Sequence, residues 1–93
     1  MNVYYTDRAR HELAEAFQWY ESNRPGLGDE FLNTIESSIY PIISYPELYP
    51  VCYSDFRRCI IRRFPYSIFY TLEDKDIIIH AIFNNKQNPD YLP

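Results

Sequence analysis

The sequence predicts an α+β fold in which a helical hairpin packs against an antiparallel sheet. Two stretches in the first half carry apolar residues at helical spacing. The stretch from Arg57 to Pro89 instead crowds β-branched and aromatic residues around one tight turn. At 93 residues the chain is long enough for one modest core and too short for a second folded unit with a linker, so one domain over residues 1–93 is expected.

Val3 to Tyr5 is a short β-prone segment, closed by Thr6 and Asp7, either of which can accept hydrogen bonds from the free amides of a helix start. Ala9, Leu13, Ala16, Phe17 and Tyr20 then form one apolar stripe, while Arg8, Glu12, Glu15 and Gln18 point elsewhere. The run Asn23-Arg24-Pro25-Gly26-Leu27-Gly28 breaks this first helix and reverses the chain. A second helix is expected from about Gly28 or Asp29, with Asp29 and Glu30 at its positive end and Leu27, Phe31, Ile35 and Ile39 on its inner face. Pro41 is expected to kink or end it near Tyr40, and Pro46 to Pro50 to form an extended connector.

The sheet follows. Val51 to Tyr53 starts it, Ser54 to Phe56 turns, and Arg57 to Arg63 reads as a strand with Ile60 and Ile61 between paired arginines. Pro65 marks an edge or bulge. Tyr66 to Glu73 and Ile77 to Phe83 are the last two strands, joined through Asp74-Lys75-Asp76. Strict alternation puts Ile68, Tyr70 and Leu72 on one face with Phe69 on the other, and sets Ile77, Ile79, Ala81 and Phe83 against Ile78 and Ile82. Both faces are therefore apolar. The hairpin covers one, which leaves the other to a partner, to the tail from Asn84, or to both.

Composition narrows the function. The formal charge of −4 argues against a generally basic, nucleic-acid-coating surface. Yet Arg57, Arg58, Arg62 and Arg63 lie together, a local positive patch on an acidic protein. On a strand, Arg58 and Arg62 share a face with Ile60, and Arg57 and Arg63 share the other, so at most two can join one site. Edge protection with pairing to carboxylates is one reading. A docking surface for phosphate or for an acidic partner is the other. Ten tyrosines imply a core with wet edges, some lining a groove.

His80 interrupts an apolar strand and is expected to be a satisfied, half-buried ring. His11, between Arg10 and Glu12, is expected to be solvated. Cys52 and Cys59 have no metal-ligand spacing, and the acidic residues show no convergence, so no metal and no cofactor are expected. The start of the chain lacks a basic, then apolar, leader, and no segment approaches the roughly 18 apolar residues a bilayer requires. A cytoplasmic protein with no membrane partner is expected, its thiols reduced.

The phrases EAFQWYE, RPGLG, RRFPYSIFY and the closing NPDY carry a resemblance to the RelE/ParE toxins of type II toxin–antitoxin systems, in their plasmid-stabilisation, ParE-like branch. The resemblance spans nearly the whole chain. It implies a β-α-α-β-β-β fold and a toxin neutralised by a cognate antitoxin whose C-terminal segment wraps it. DNA is then contacted only indirectly, through the antitoxin, and the assembly is a homodimer or a toxin–antitoxin hetero-oligomer.

Two activities follow from the resemblance. RelE-like members cut messenger RNA on the ribosome, with basic side chains on the phosphate and a tyrosine near the C-terminus. Here the strand position that commonly supplies Lys is Arg58, while the Arg expected after Tyr66 is Ser67 and the one expected in the closing segment is Gln87. Arg58, Lys86 and Tyr91 remain as catalytic candidates, and removing even one stabilising donor from such a site costs about 2.7–4 kcal/mol. Many plasmid-stabilisation members close on His-x-x-Arg-x-Pro, where this chain has Asn84, Gln87 and Pro89. ParE-like members instead inhibit DNA gyrase by binding. The leading expectation is therefore a gyrase-binding toxin whose target or antitoxin contacts include Arg57, Arg58, Arg62, Arg63, Tyr66 and Tyr70. The alternatives are a ribosome-dependent endoribonuclease, or a decayed toxin acting only in antitoxin binding and operon autoregulation.

Overall fold

A computed structural model describes residues 1–93. In chain order it contains β1 (Val3–Tyr5), α1 (Asp7–Asn23), α2 (Leu27–Ser44), β2 (Val51–Tyr53), β3 (Phe56–Ile60), β4 (Tyr66–Glu73), β5 (Asp76–Asn84) and a 3-10 turn (Pro89–Tyr91). The five strands form one sheet in the order β1-β5-β4-β3-β2. The α+β class and the helical hairpin are as expected. The sheet departs from the purely antiparallel expectation at one edge, where β1 runs parallel to β5. The two helices between β1 and the rest of the sheet supply the long return that a parallel pair needs.

Thr6 is the N-cap of α1, its hydroxyl accepting from the Ala9 amide at 3.1 Å and donating to the His80 carbonyl at 3.1 Å. At the other end the chain reverses through Gly26, whose φ of 90° is left-handed. Glu21 holds this turn by accepting from the Gly26 and Gly28 amides. The second helix continues through Pro41 to Ser44, against the expectation that it would stop near Tyr40. Pro41 removes only the bond to the Ser37 carbonyl. The last turn is retained because Ile39 and Ile42 are buried in the core and the Tyr45 amide closes on the Pro41 carbonyl at 2.8 Å.

Strict alternation fails once, in β5. Phe69 pairs with Ala81 but Tyr70 pairs with Ile79, so His80 is an extra residue on the longer strand. Ile77, Ile79 and Ile82 consequently face the helices, and Ala81 and Phe83 face the other way with Phe69. The expected grouping of Ala81 and Phe83 with Ile77 and Ile79 is corrected by this bulge.

The core under the helices joins Phe31, Ile35, Ile42, Ile68, Tyr70 and Ile79, all essentially inaccessible. The opposite face is also closed, and by the chain itself. Tyr53, Phe56 and Leu92 pack on Phe69, Ala81 and Phe83. The tail is tied down where the Tyr53 hydroxyl donates to the Pro93 carbonyl and the Arg8 guanidinium donates to the Tyr91 carbonyl. The tail, one of the covers left open by the sequence, lies on this face through Leu92. No helix is long and apolar enough to cross a membrane.

Candidate functional site

The four clustered arginines take four different positions. The strand ends at Ile60, not Arg63, so only Arg57 and Arg58 lie on it. Arg57 stands opposite Tyr70 and Arg58 opposite Phe69, on opposite faces. Arg57 Nη1 donates to the carbonyls of Tyr49 at 2.6 Å and Glu47 at 3.3 Å, which pins the connector that follows α2. Arg58 Nε donates to Ser67 Oγ at 2.9 Å and Nη2 to Asn85 Oδ1 at 3.0 Å, while the Ser67 hydroxyl donates to the same Asn85 oxygen at 2.7 Å. The Arg58 guanidinium also lies over the Phe69 ring, 5.4 Å from its centroid. Ser67 is fully buried. Its hydroxyl accepts from Arg58 and holds that guanidinium in place.

Arg62 and Arg63 sit in the β3–β4 connection, which consists of two γ-turns in succession. The Phe64 amide bonds the Arg62 carbonyl at 2.8 Å around Arg63, whose φ is 72°, and the Tyr66 amide bonds the Phe64 carbonyl at 2.8 Å around Pro65. Proline's fixed φ suits the second turn, whereas the positive-φ form at Arg63 is strained for a residue with a Cβ. Two contacts hold Arg63 there: an ion pair with Glu30 at 2.8 Å and stacking on Phe64. Glu30 also meets Arg24 at 2.9 Å, and these guanidinium partners, Arg63 foremost, hold its carboxyl below the usual range. Arg62 is exposed and makes no ion pair.

The two tyrosines named from sequence lie inside. Tyr70 is inaccessible, its hydroxyl donates to the Pro46 carbonyl at 2.9 Å, and burial pushes its phenol up to about 12. Tyr66 is buried against Phe31, with ring centroids 5.1 Å apart. Of the catalytic candidates, Lys86 lines a groove of about 650 Å³ between α1 and the end of β5, with Arg8, Glu12, Trp19 and Tyr66. Neither Arg58 nor Tyr91 lines that groove. Tyr91 is exposed on the closing turn. The structure therefore does not gather Arg58, Lys86 and Tyr91 around one cavity.

His80 meets the sequence expectation: it is half-buried, Thr71 Oγ1 lies 2.8 Å from Nε2, and Phe56 packs edge-on against the ring. His11 is exposed and pairs with Glu15. Burial pushes the Cys59 thiol up, the wrong direction for a reactive thiolate. Three residues passed over in the sequence matter. Glu12 leaves the solvated face assigned to it and accepts the Ile82 amide at 3.0 Å. Asn85 receives Arg58, with no local pattern to announce it. Trp19 is largely exposed beside the α1 groove, and its place outside the apolar stripe was the available signal.

A family model described as the ParE toxin of the type II toxin–antitoxin system parDE matches residues 3–89. A solved structure described as the chromosomal ParDE TA system from P. aeruginosa superposes with a TM-score of 0.79 at 19% identity, covering 90% of this chain and 95% of that one. At that identity the likeness speaks for the fold. A comparison with the curated proteins gave no match.

Proposed function

The chain belongs to the ParE toxin family of type II toxin–antitoxin systems, and from that premise we propose that it arrests growth by binding DNA gyrase and is neutralised by a cognate antitoxin. The observation that favours an occupancy mechanism over RNA cleavage is the Arg58 bridge, while gyrase as the target is taken from the family. A guanidinium fixed between Ser67 and Asn85 and laid over Phe69 is built to hold two strands and the segment after β5 together. Phosphoryl transfer needs cations aimed at a shared phosphate, and Arg58 does not line the groove that holds Lys86. An occupancy mechanism asks only for a shaped, rigid surface, which suits an acidic protein.

On this reading the toxin works in the cytosol, touches operator DNA only through its antitoxin, and is stored as a hetero-oligomer with it. The test is a supercoiling assay with purified gyrase, run beside a ribosome-programmed messenger RNA cleavage assay. Loss of supercoiling at micromolar toxin, reversed by antitoxin, with the message intact, is the expected result. Cleaved message with normal supercoiling assigns the chain to the RNA-cutting class instead, and no growth defect on induction assigns it to antitoxin binding and autoregulation alone.

A further inference from the structure

Exposed apolar side chains concentrate where α2 ends. Tyr40, Ile43, Tyr45, Leu48 and Val51 are all uncovered, with Tyr45 at 69% and Leu48 at 57% of full exposure. A run of this kind on the surface marks a contact face. The turn that presents it is fixed. The Leu48 amide bonds the Tyr45 carbonyl at 2.9 Å, with Pro46 at the position where proline's φ is already set for a β-turn. From below, the Tyr70 hydroxyl donates to the Pro46 carbonyl at 2.9 Å, and Arg57 donates to the carbonyls of Glu47 and Tyr49. Tyr70 and Arg57 stand opposite each other on β4 and β3. Two side chains of the sheet thus hold an exposed turn rigid, which spares a partner the cost of ordering a loop.

Tyr45, Pro46, Leu48 and Leu72 line a groove of about 610 Å³. The only charged side chains lining it are Glu47 and Asp74, and neither makes an ion pair. The hairpin that carries Asp74 reads Glu73-Asp74-Lys75-Asp76, three acids against one cation. α2 ends at this groove with no basic residue in its last turn, so the negative end of the helix dipole is uncompensated. Phosphate and anionic surfaces are repelled from such a site, and a second copy of this chain brings the same carboxylates against it. A cationic partner is the one that fits.

We infer that this turn receives a cationic, apolar segment of the toxin's protein target, which packs aliphatic or aromatic side chains on Tyr45 and Leu48 and sets lysine or arginine on Glu47 and Asp74. The inference rests on the gyrase reading above and deepens it by naming the surface and the chemistry of the contact. Apolar anchors give such a contact its strength, and the charged rim steers and orients it. Arg57 and Tyr70 act on it through the main chain, as positioning residues that need not touch the partner.

The experiment uses the full-length toxin with purified gyrase holoenzyme, and with the antitoxin from the adjoining reading frame as a second arm. Hydroxyl-radical footprinting should find Tyr45 and Leu48 oxidised in the free toxin and shielded once gyrase is added. Leu48→Ser and Glu47→Lys should each weaken gyrase binding about tenfold, with the thermal melt and the antitoxin affinity at their parental values. Added salt should weaken binding of the parent, and Glu47→Lys should flatten that dependence. Where Leu48→Ser does not fold, footprinting and Glu47→Lys decide. Gyrase that binds both variants like the parent, or that leaves Tyr45 and Leu48 open to oxidation, overturns this surface and leaves gyrase inhibition standing. Variants that lose antitoxin affinity and keep gyrase affinity assign the turn to the antitoxin and overturn the proposal. Gyrase that fails to bind the unaltered toxin overturns the gyrase reading itself.

Discussion

Glu12, one turn into α1, accepts the main-chain amide of Ile82 in β5 through Oε1 at 3.0 Å. β1 runs beside β5 only as far as Ile79, and the alternation of the ladder turns the Ile82 amide toward the vacant side. A helix carboxylate therefore completes a strand edge, while its second oxygen holds Arg8 at 3.3 Å, and Arg8 in turn reaches the Tyr91 carbonyl. One side chain links helix, sheet and tail.

Glu12→Ala leaves the buried Ile82 amide without a partner, and the expected loss is about 1–3 kcal/mol. Glu12→Gln keeps an acceptor in place and should retain most of that stability. Urea unfolding of the three proteins checks this, and equal losses for Ala and Gln would show that the Arg8 pairing, not the amide, is what matters.

Gly28 is buried where α2 begins, and a Cβ there would lie 2.7 Å from the Phe17 ring and 2.9 Å from Glu21 Oε1. Gly28→Ala should cost about 1–3 kcal/mol through overpacking. The cost of Gly26→Ala has another origin, because the space around it is open and the penalty is its left-handed φ of 90°. Adding Phe17→Ala should soften the effect of Gly28→Ala and leave that of Gly26→Ala unchanged, a contrast a double-mutant cycle measures directly.

The helices were legible in the sequence because apolar spacing and capping are local. Ala9 and Ala16 on one helix, and Phe31, Ile35 and Ile39 on the other, are buried as their periodicity requires. What escaped depends on tertiary pairing. The bulge at His80 reverses the facing of Ala81 and Phe83, and nothing in Ile-Ile-Ile-His-Ala-Ile-Phe marks where the extra residue falls. Pro41 was overweighted because the burial of Ile42 beyond it cannot be seen locally. The arginine cluster was legible as a cluster, but Arg58's partner Asn85 lies 27 residues away.

His80 gives the fold a pH dependence. Burial lowers its pKa from the ordinary value of about 6.5, with Glu73 opposing. Its surroundings are Thr71, the Phe56 ring and, at the next remove, Glu73. In the window between the lowered folded value and the ordinary unfolded one, the unfolded chain binds more protons, so stability rises with pH. The contribution is complete above the unfolded value and declines as pH falls through it toward the folded one. Unfolding free energy measured across about pH 7.5 to 5, the range in which histidine titrates, should slope in the parent and lose that component in His80→Gln.

Leu92 is half-buried against Phe69, Ala81 and Phe83 and closes the face of the sheet that the helices do not reach. Leu92→Asp puts a charge there and should release the tail, at a cost of about 1–3 kcal/mol and with new binding of a hydrophobic dye. Tyr53→Phe removes the hydroxyl that reaches Pro93 but keeps the ring on Phe69, so its effect should be smaller. Equal effects for the two would place the holding force in the hydrogen bond.

Arg58 is where stability and mechanism separate most cleanly. Arg58→Ala removes two charge-assisted hydrogen bonds and a ring contact, and should destabilise the fold by about 1.5–3 kcal/mol, as loss of hydrogen bonds to a charged group typically does. For a chain of this size that lowers the melting temperature by several degrees for each kcal/mol. If the guanidinium is a structural bridge, growth arrest should persist at low temperature once the amount of folded protein is matched, and should fade on warming along with the melt. If it is a phosphate-polarising group, arrest should vanish at every temperature with the fold intact. Arg58→Lys sharpens the distinction, because an ammonium keeps the charge but cannot span Ser67 and Asn85 in one plane. It should behave like the alanine variant in stability, and an active, destabilised Lys variant beside an inactive Ala variant would return the argument to catalysis.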